Sequence, residues 1–302
     1  MTADFSIRPA RPGDASALAA LRREVYPYMV RGEATIRRMI VSPPPGTDRI
    51  FLVADRAGEP AGTVSAFRQP RSADAGFGQV AVQVHPDHRG RGIGTALLAE
   101  ATDYLRAVGV TRADTWAVPE SLGFARRNGF EPSREMRYSA LDLTAFTGVP
   151  DAGPGITLVP LSEVTEQALY EADVAAATDE PGDVPSQPMP YPTWRYETWE
   201  EPGLDRDVST AAVAGGVIVS FSLLLRDGDR AWSDMTATVP EHRGRGLARL
   251  VKTETLRRAA AGGVRTAYTS NDETNTPMLA VNSRLGYRPI ATQLSCLATL
   301  TS

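Results

Sequence analysis

The sequence predicts an α+β protein made of two like-built units in tandem, each a mixed sheet flanked by helices. Three observations carry that expectation. The chain has 302 residues, enough for two domains. A glycine-rich motif recurs about half a chain apart, and strand-like and helix-like segments alternate in the same order around each copy. The motif is His88-Arg89-Gly90-Arg91-Gly92-Ile93-Gly94, repeated as His242-Arg243-Gly244-Arg245-Gly246-Leu247-Ala248 at an offset of 154 residues. Asn128-Gly129-Phe130 is answered by Leu285-Gly286-Tyr287 at an offset of 157, and Ile7-Arg8-Pro9 by Leu158-Val159-Pro160 at 151. Drift of that size is what small loop insertions produce.

Between the copies, 147–155 (Thr-Gly-Val-Pro-Asp-Ala-Gly-Pro-Gly) lacks an apolar period and is dense in turn formers. The expected boundaries are therefore an N-terminal domain over 1–146, a linker over 147–155 and a C-terminal domain over 156–302. In the first half, 6–9 reads as a strand, and Asp14 as the N-cap of a helix over 15–25 with Leu18, Leu21 and Val25 at helical spacing. Segments 50–54 and 62–67 read as strands around a turn, and 79–84 as a strand running into the glycines. A helix follows with Ile93, Leu97, Tyr104, Leu105 and Val108 on one face, stopped by Gly109. The second half repeats the order with strands at 211–214, 217–225 and 231–238, a helix through Leu250 and Val251, and a stop at Gly262-Gly263.

Composition narrows the function classes. Hydrophobic residues at 42% and charged residues at 23% fit a folded, water-soluble chain. A net charge of -4 argues against general nucleic-acid binding and against attraction to an anionic membrane. The single cysteine, Cys296, excludes an intramolecular disulfide framework or a cysteine zinc cluster, and its apolar neighbours mark it as a small core residue in a reducing compartment. No apolar leader or spanning run is present, so the expected location is the cytoplasm. Lys252 is the only lysine, so 31 of the 32 cations are arginine, a bias that fits the source genome's composition rather than a function. His85-x-x-His88 invites a metal reading, but no further ligands cluster near it and His88 belongs to the repeated turn, so no metal is expected.

The repeated turn is where chemistry enters. From Thr238 to Ala248 a strand ends, glycines allow positive φ and close backbone approach, and a helix begins with unpaired amides. Such a terminus favours a phosphate or pyrophosphate, and Arg243 and Arg245 add positive charge. No Gly-Lys-Ser/Thr follows, neither copy has a full Gly-x-Gly-x-x-Gly, and both turns come late in their halves, which demotes nucleoside triphosphates and NAD.

With that context, Arg89-x-x-Gly92-x-Gly94 and Arg243-x-x-Gly246-x-Ala248 resemble the phosphate-binding pattern Gln/Arg-x-x-Gly-x-Gly/Ala of the GNAT superfamily of acyl-CoA-dependent N-acyltransferases. The resemblance covers most of both halves and is similar to a tandem GNAT layout also found in mycothiol synthases. It implies two GNAT-like domains with mostly antiparallel, twisted sheets, acetyl-CoA as co-substrate, a small-molecule amine as acceptor, and direct attack in a ternary complex of a monomer or homodimer. For the coenzyme it implies Thr236, Thr238, Arg243, Gly244, Arg245, Gly246, Leu247, Ala248 and Asn275 in the C-terminal half. Val84, Arg89, Gly90, Arg91, Gly92 and Gly94 are their N-terminal counterparts.

Counting back along the strand from Pro240, the family's usual acid position is Asp234, the expected base for the acceptor ammonium. The same count from Pro86 lands on Val80, so the first half lacks the base and is expected to be structural or degenerate. Asn275 matches a pantetheine-side Asn of the family, although Thr276 at N-cap and Pro277 at N1 give that segment an equally good capping role. Four residues before each closing glycine, where the family often has a Tyr that protonates the leaving thiolate, this chain has Ala125 and Asn282. Asn282 can orient a water or the thioester but is no acid, which leaves the thiolate's proton without an assigned source. Thr178, Asp179, Glu180 and Asp183, with Trp194, Tyr196 and Trp199, fall where the family often lines its acceptor cleft; a proline-rich surface loop with packed aromatics is the other reading. Two alternatives stay open: a non-catalytic acyl-CoA-binding protein, and an acyltransferase using an aminoacyl-tRNA donor.

Overall fold

The computed structural model describes residues 4–177 and 182–300. Its elements in chain order begin with β1 (Ser6–Pro9), α1 (Ala15–Val25), α2 (Glu33–Val41), β2 (Ile50–Arg56), β3 (Glu59–Arg68) and β4 (Phe77–Val84). Then come α3 (Ile93–Ala107), β5 (Arg112–Ala117), α4 (Leu122–Arg127) and β6 (Glu131–Asp142). The second half contributes β7 (Thr157–Pro160), α5 (Glu166–Ala176), α6 (Tyr191–Trp194), β8 (Thr210–Ala214), β9 (Val217–Asp227) and β10 (Arg230–Thr238). It finishes with α7 (Leu247–Ala261), β11 (Thr266–Asp272), α8 (Thr276–Leu285) and β12 (Arg288–Thr299).

Two compact units form, and they are not the two halves of the chain. One comprises Met1–Met136, Asp183–Pro185 and Thr292–Ser302; the other comprises Arg137–Gly182 and Ser186–Ala291. The stretch read as a linker, 147–155, thus lies within the second unit, and the chain changes unit in the middle of β6 and of β12. The reason is visible in the packing. Cys296, Ala298 and Leu300 are buried in the N-terminal unit's core, whereas Leu141 and Leu143 are buried in that of the C-terminal unit. Strand periodicity states which side chains need burial but not which core receives them.

Each sheet is mixed and mostly antiparallel. In the N-terminal unit the order is β1-β2-β3-β4-β5-β12, with β4 and β5 parallel and the other neighbours antiparallel. In the C-terminal unit the order is β6-β11-β10-β9-β8-β7, with β10 and β11 parallel and β7 to β10 antiparallel. The long helix after each glycine turn covers one sheet face. Ile93, Leu97, Leu98, Ala101 and Leu105 of α3 bury a continuous apolar stripe against Val64, Val80 and Ala113. Gly109 stops that helix with φ +81°, a conformation that costs glycine no Cβ clash. Asp14 stands at the start of α1 but does not cap it with its side chain; the carboxylate instead takes the Arg11 amide and a bidentate grip from Arg8 at 2.7 and 3.0 Å. Among the described residues no helix is long and apolar enough to cross a membrane.

Candidate active site

In both units the parallel pair of strands opens. β10 and β11 pair over Arg230–Thr266, Ala231–Ala267 and Trp232–Tyr268, then part while β10 continues to Thr238 and β11 to Asp272. β4 and β5 pair over Phe77–Arg112, Gly78–Ala113 and Gln79–Asp114 and part in the same way. Beyond the parting, the facing backbone edges of the two strands have no ladder partner in each other, which is a binding edge for a narrow, amide-bearing chain.

The glycine turn lies at the far end of each opening. Gly244 and Gly246 have φ +75° and +78°, Gly90 and Gly92 +74° and +82°, and an added Cβ at any of the four would meet nothing within 4 Å. The turns are therefore open on their outer side. Gly246 caps α7 without a side-chain bond, and the helical ladder starts with the bond from the Leu250 amide to Gly246 O, so the amides of Leu247, Ala248 and Arg249 stand outside it. Arg243 Nε donates to Thr238 O at 3.1 Å and Arg245 to Glu241 O at 3.3 Å, which ties both guanidinium groups to the turn. Arg89 makes the equivalent bond to Val84 O at 3.4 Å, and Arg91 is exposed. At Gly94 a Cβ would meet Phe124 and Val84 at 3.5 Å, ordinary contact, consistent with Ala248 at the matching position. These residues fit a diphosphate in both units: bare amides, a helix start and arginines at the rim.

The two units differ at the parting itself. Ser233 pairs Leu224 and Thr236 pairs Ser222, so Asp234 and Met235 bulge opposite Leu223. β4 pairs β3 without interruption from Gly78–Arg68 to Val84–Gly62. The stretch from the first parallel pair to the turn proline is one residue longer in β10, from Arg230 to Pro240, than in β4, from Phe77 to Pro86. Register places Ser233, not Asp234, at the position of Val80, and the added residue lies in the bulge. The Asp234 carboxylate is exposed and accepts the Trp232 indole N–H at 3.1 Å. Thr236 and Thr238 point their hydroxyls across β9 to Ser222 and Ser220, at 3.0 and 2.9 Å.

Asn275, not Thr276, caps α8, accepting the Met278 amide at 3.3 Å. Asn282 is buried on α8; its Nδ2 donates to Asn271 Oδ1, and its own Oδ1 has no hydrogen-bond partner among the described residues. Of the residues expected to meet the acceptor, 178–181 lie outside the described residues. Asp183 belongs to the N-terminal unit, paired with Arg134 at 2.9 Å and with the Ser295 hydroxyl. Trp194 is fully buried with Met189 and Phe221, and Trp199 packs on the same core beneath the Arg206 guanidinium, 3.9 Å from the ring centre. The packed-aromatic reading therefore describes both tryptophans.

Sequence reasoning passed over three buried polar residues near the parting. Ser233 is the first residue of β10 past the last parallel pair, and among the described residues its hydroxyl has no partner other than the Tyr287 hydroxyl it faces. Tyr287 is buried with its hydroxyl facing that of Ser233; burial pushes the phenol up, offset in part by the Ser233 hydroxyl. Lys252, on α7, is buried with Nζ 5.1 Å from the Tyr287 ring centre, and burial alone lowers its pKa to about 7. The available signal was the lone lysine falling on the inward face of an amphipathic helix. The N-terminal unit carries its own shifted group at the parting: burial raises Asp114 to about 7, with the Gln79 amide bonded to its Oδ2 at 3.3 Å opposing the shift.

A model of the acetyltransferase (GNAT) family matches residues 18–130 and 169–287. The mycothiol acetyltransferase of Frankia casuarinae is 35% identical over 130 residues, 40% of this chain and 37% of that protein, so the match spans little more than a third of that relative. The mycothiol acetyltransferase of Catenulispora acidiphila is 26% identical over 259 residues, 80% of this chain and 79% of that protein. The L-2,4-diaminobutyric acid acetyltransferase of Nocardia farcinica is 35% identical over 104 residues, 32% of this chain and 51% of that protein. Among solved structures, a tandem GNAT protein from the clavulanic acid biosynthesis pathway has a TM-score of 0.76 at 22% identity, covering 99% of each chain. That likeness concerns the fold.

Proposed function

Because the chain belongs to the acetyltransferase (GNAT) family, we propose that its C-terminal unit moves the acetyl group of acetyl-CoA to an amine of a small molecule, in a ternary complex and by direct attack. The N-terminal unit, in this reading, keeps the fold without turning substrate over. The observation that carries the assignment is the bulge at Asp234 and Met235, set between an open strand pair and a bare turn in one unit and absent from the other. From Ser233 to Thr238 the strand advances five residues, about 17 Å at ~3.3 Å each. An extended pantetheine arm has that reach, so a diphosphate on the turn at Arg243 to Ala248 delivers its thioester to the bulge.

The chemistry follows from the groups there. A bulge takes a backbone amide out of the ladder, and such an amide is a preorganised donor for the oxygen that gains charge as the thioester carbonyl is attacked. Asp234 takes the proton of the acceptor ammonium, directly or through one water, with the Trp232 indole fixing its orientation. The C–N bond forms, the nitrogen gives up its second proton to solvent, and the C–S bond breaks with its electron pair on sulfur. Asn275 holds the start of α8 beside the arm, and Asn282 lies deeper, against Asn271. Among curated relatives, the name L-2,4-diaminobutyric acid acetyltransferase specifies an amino-bearing small molecule and supports the acceptor class.

A second reading applies to the N-terminal unit alone: its intact turn, with Gly90 and Gly92 in the same conformation as Gly244 and Gly246, suits coenzyme binding without transfer. The test is calorimetric titration of the full chain with acetyl-CoA, followed by a free-thiol assay over a panel of primary amines. Thiol release dependent on one of the amines is the expected result. Binding without release supports the binding-only alternative for the whole protein, and neither binding nor release removes the assignment.

A further inference from the structure

The duplicated architecture supplies an internal control for every position in the C-terminal unit. Helices α3 and α7 both have fifteen residues at the motif's offset, so Lys252 matches Leu98; Tyr287 matches Phe130 and Asn282 matches Ala125 through the closing motifs. The strand registers match Ser233 with Val80, and Asn271 with Ala117. All five N-terminal residues are buried members of one continuous apolar core. At the same five places the C-terminal unit has an amine, a phenol, two amides and a hydroxyl, four of them fully or nearly buried. Its apolar residues under α7 consequently separate into two clusters, one around Leu256 and Ala259 and the other around Leu247 and Val251. The fold does not require polarity here, because its own copy does without it.

Among the described residues Asn282 Oδ1 has no hydrogen-bond partner, and the hydroxyls of Ser233 and Tyr287 face each other and have no other partner. Ser233 sits where β10 leaves β11, and the Thr269 hydroxyl bonds its carbonyl oxygen at 3.0 Å, replacing the lost ladder at that point. We propose that Ser233, Tyr287 and Lys252 form a buried pocket for the coenzyme's sulfur, beneath the parting of β10 and β11, in which Lys252 balances the negative charge the sulfur acquires as the C–S bond breaks. This rests on the assignment of acetyl-CoA to the C-terminal unit. Lys252 lies behind the Tyr287 ring and acts through it, so it is a positioning residue; the hydroxyls of Ser233 and Tyr287 are the hydrogen-bond donors to sulfur. The ammonium nitrogen loses two protons on becoming the amide, one to Asp234 before attack and one to solvent once the C–N bond has formed, and the sulfur gains one from solvent as the product leaves; Lys252 is charged while the thiolate is present.

The lysine is poised for that change of charge. Its lowered pKa arises from burial and from no neighbouring charge: Glu254 on its own helix is held by Arg257 and Arg258, and neither Asp234 and Arg230 on β10, Asp227 and Arg226 on β9, nor Arg284 on α8 contributes. Tyr287 is the titratable group that faces it. An anion brought to the pocket raises such a lysine's affinity for a proton.

Lys252 being the only lysine, full-length protein labelled with ¹³C-lysine gives one side-chain signal to titrate. The expected result is a midpoint near 7 that moves upward on saturation with CoA and not with desulfo-CoA, which lacks the sulfur. Equal responses to the two, or none to CoA in protein that calorimetry shows to bind it, overturn the proposal while leaving the acetyl-CoA assignment standing. Failure to bind either compound removes the assignment itself. Lys252→Leu and Tyr287→Phe install apolar side chains of the kind the N-terminal unit carries. For Lys252→Leu, kcat is expected to fall about tenfold, equivalent to about 1.4 kcal/mol of lost charge stabilisation. KM for acetyl-CoA and the melting temperature are expected not to worsen; a loss of stability with kcat intact would assign Lys252 a structural role.

Discussion

Lys252 Nζ and the Tyr287 ring centre lie 5.1 Å apart, and the hydroxyl of that tyrosine has no partner among the described residues other than the Ser233 hydroxyl it faces. A buried amine stacked on a buried phenol is an unfavourable arrangement for stability, since each unsatisfied buried polar group costs about 1–3 kcal/mol. Its effect on stability has a definite sign. The folded lysine titrates near 7 and the unfolded one at 10.5, so between these values the unfolded chain binds more protons and stability rises with pH. Urea midpoints of the wild type are expected to climb relative to Lys252→Leu from pH 7 to pH 10, with the variant ahead by about 1–3 kcal/mol below pH 7. A gap independent of pH would contradict the depressed titration.

Asp114 predicts the opposite slope at lower pH. Its folded value is raised to about 7 from 3.8, so the folded state binds more protons between the two, and stability falls as pH rises through that window. Asp114→Asn removes the dependence and leaves Gln79 a neutral partner. Thermal melts at pH 4 and pH 8 check it: the wild type should lose stability across that interval relative to the variant.

Gly92→Trp and Gly246→Trp impose the same backbone strain, since φ is +82° and +78°, and each fills its turn with an indole. If the C-terminal unit alone performs transfer, Gly246→Trp lowers kcat/KM by at least about 100-fold, the scale of a lost preorganised anion site. Gly92→Trp should leave most of the activity. Steady-state thiol release on both variants checks this, and equal losses would end the division of labour.

Asp234→Asn keeps shape and removes the base, with an expected loss of about 100-fold or more in kcat. Trp232→Phe removes only the 3.1 Å indole bond to that carboxylate and should cost far less. Steady-state kcat of the two variants in the free-thiol assay distinguishes them, and losses of equal size would assign Asp234 no role beyond its bond to the indole.

The exchange of strand ends predicts what happens when the chain is cut. Residues 292–300 supply Cys296, Ala298 and Leu300 to the N-terminal core, and β12 pairs β5 from Leu294–Ala117 to Thr299–Arg112. Truncation after Ala291 should therefore unfold the N-terminal unit, although the deletion is at the C-terminus. Separately expressed 1–146 and 156–302 should each lack cooperative melts. Circular dichroism on these fragments checks it, and two independently folded halves would refute the exchange.

The sequence by itself determined the duplication, the glycine turns and the helices after them, because these are local: Gly109, Gly92 and Gly246 act through their own backbone torsions, and the apolar stripe of α3 repeats within a few turns of helix. It also placed Asp234 on the strand that enters the turn. Only the tertiary structure decided three further matters. It showed that β6 and β12 change unit, since an alternating strand fits any core that offers an open edge. It showed that Asp234 and Met235 form a bulge, which exists only relative to the register of β9. And it showed that Lys252, read from composition as an accident of a lysine-poor chain, stands buried beside Tyr287, a residue of the turn into β12 far from it in the chain, and that Tyr287 in turn faces Ser233 of β10. Burial and mutual distance are properties of packing, and no spacing along the sequence encodes them.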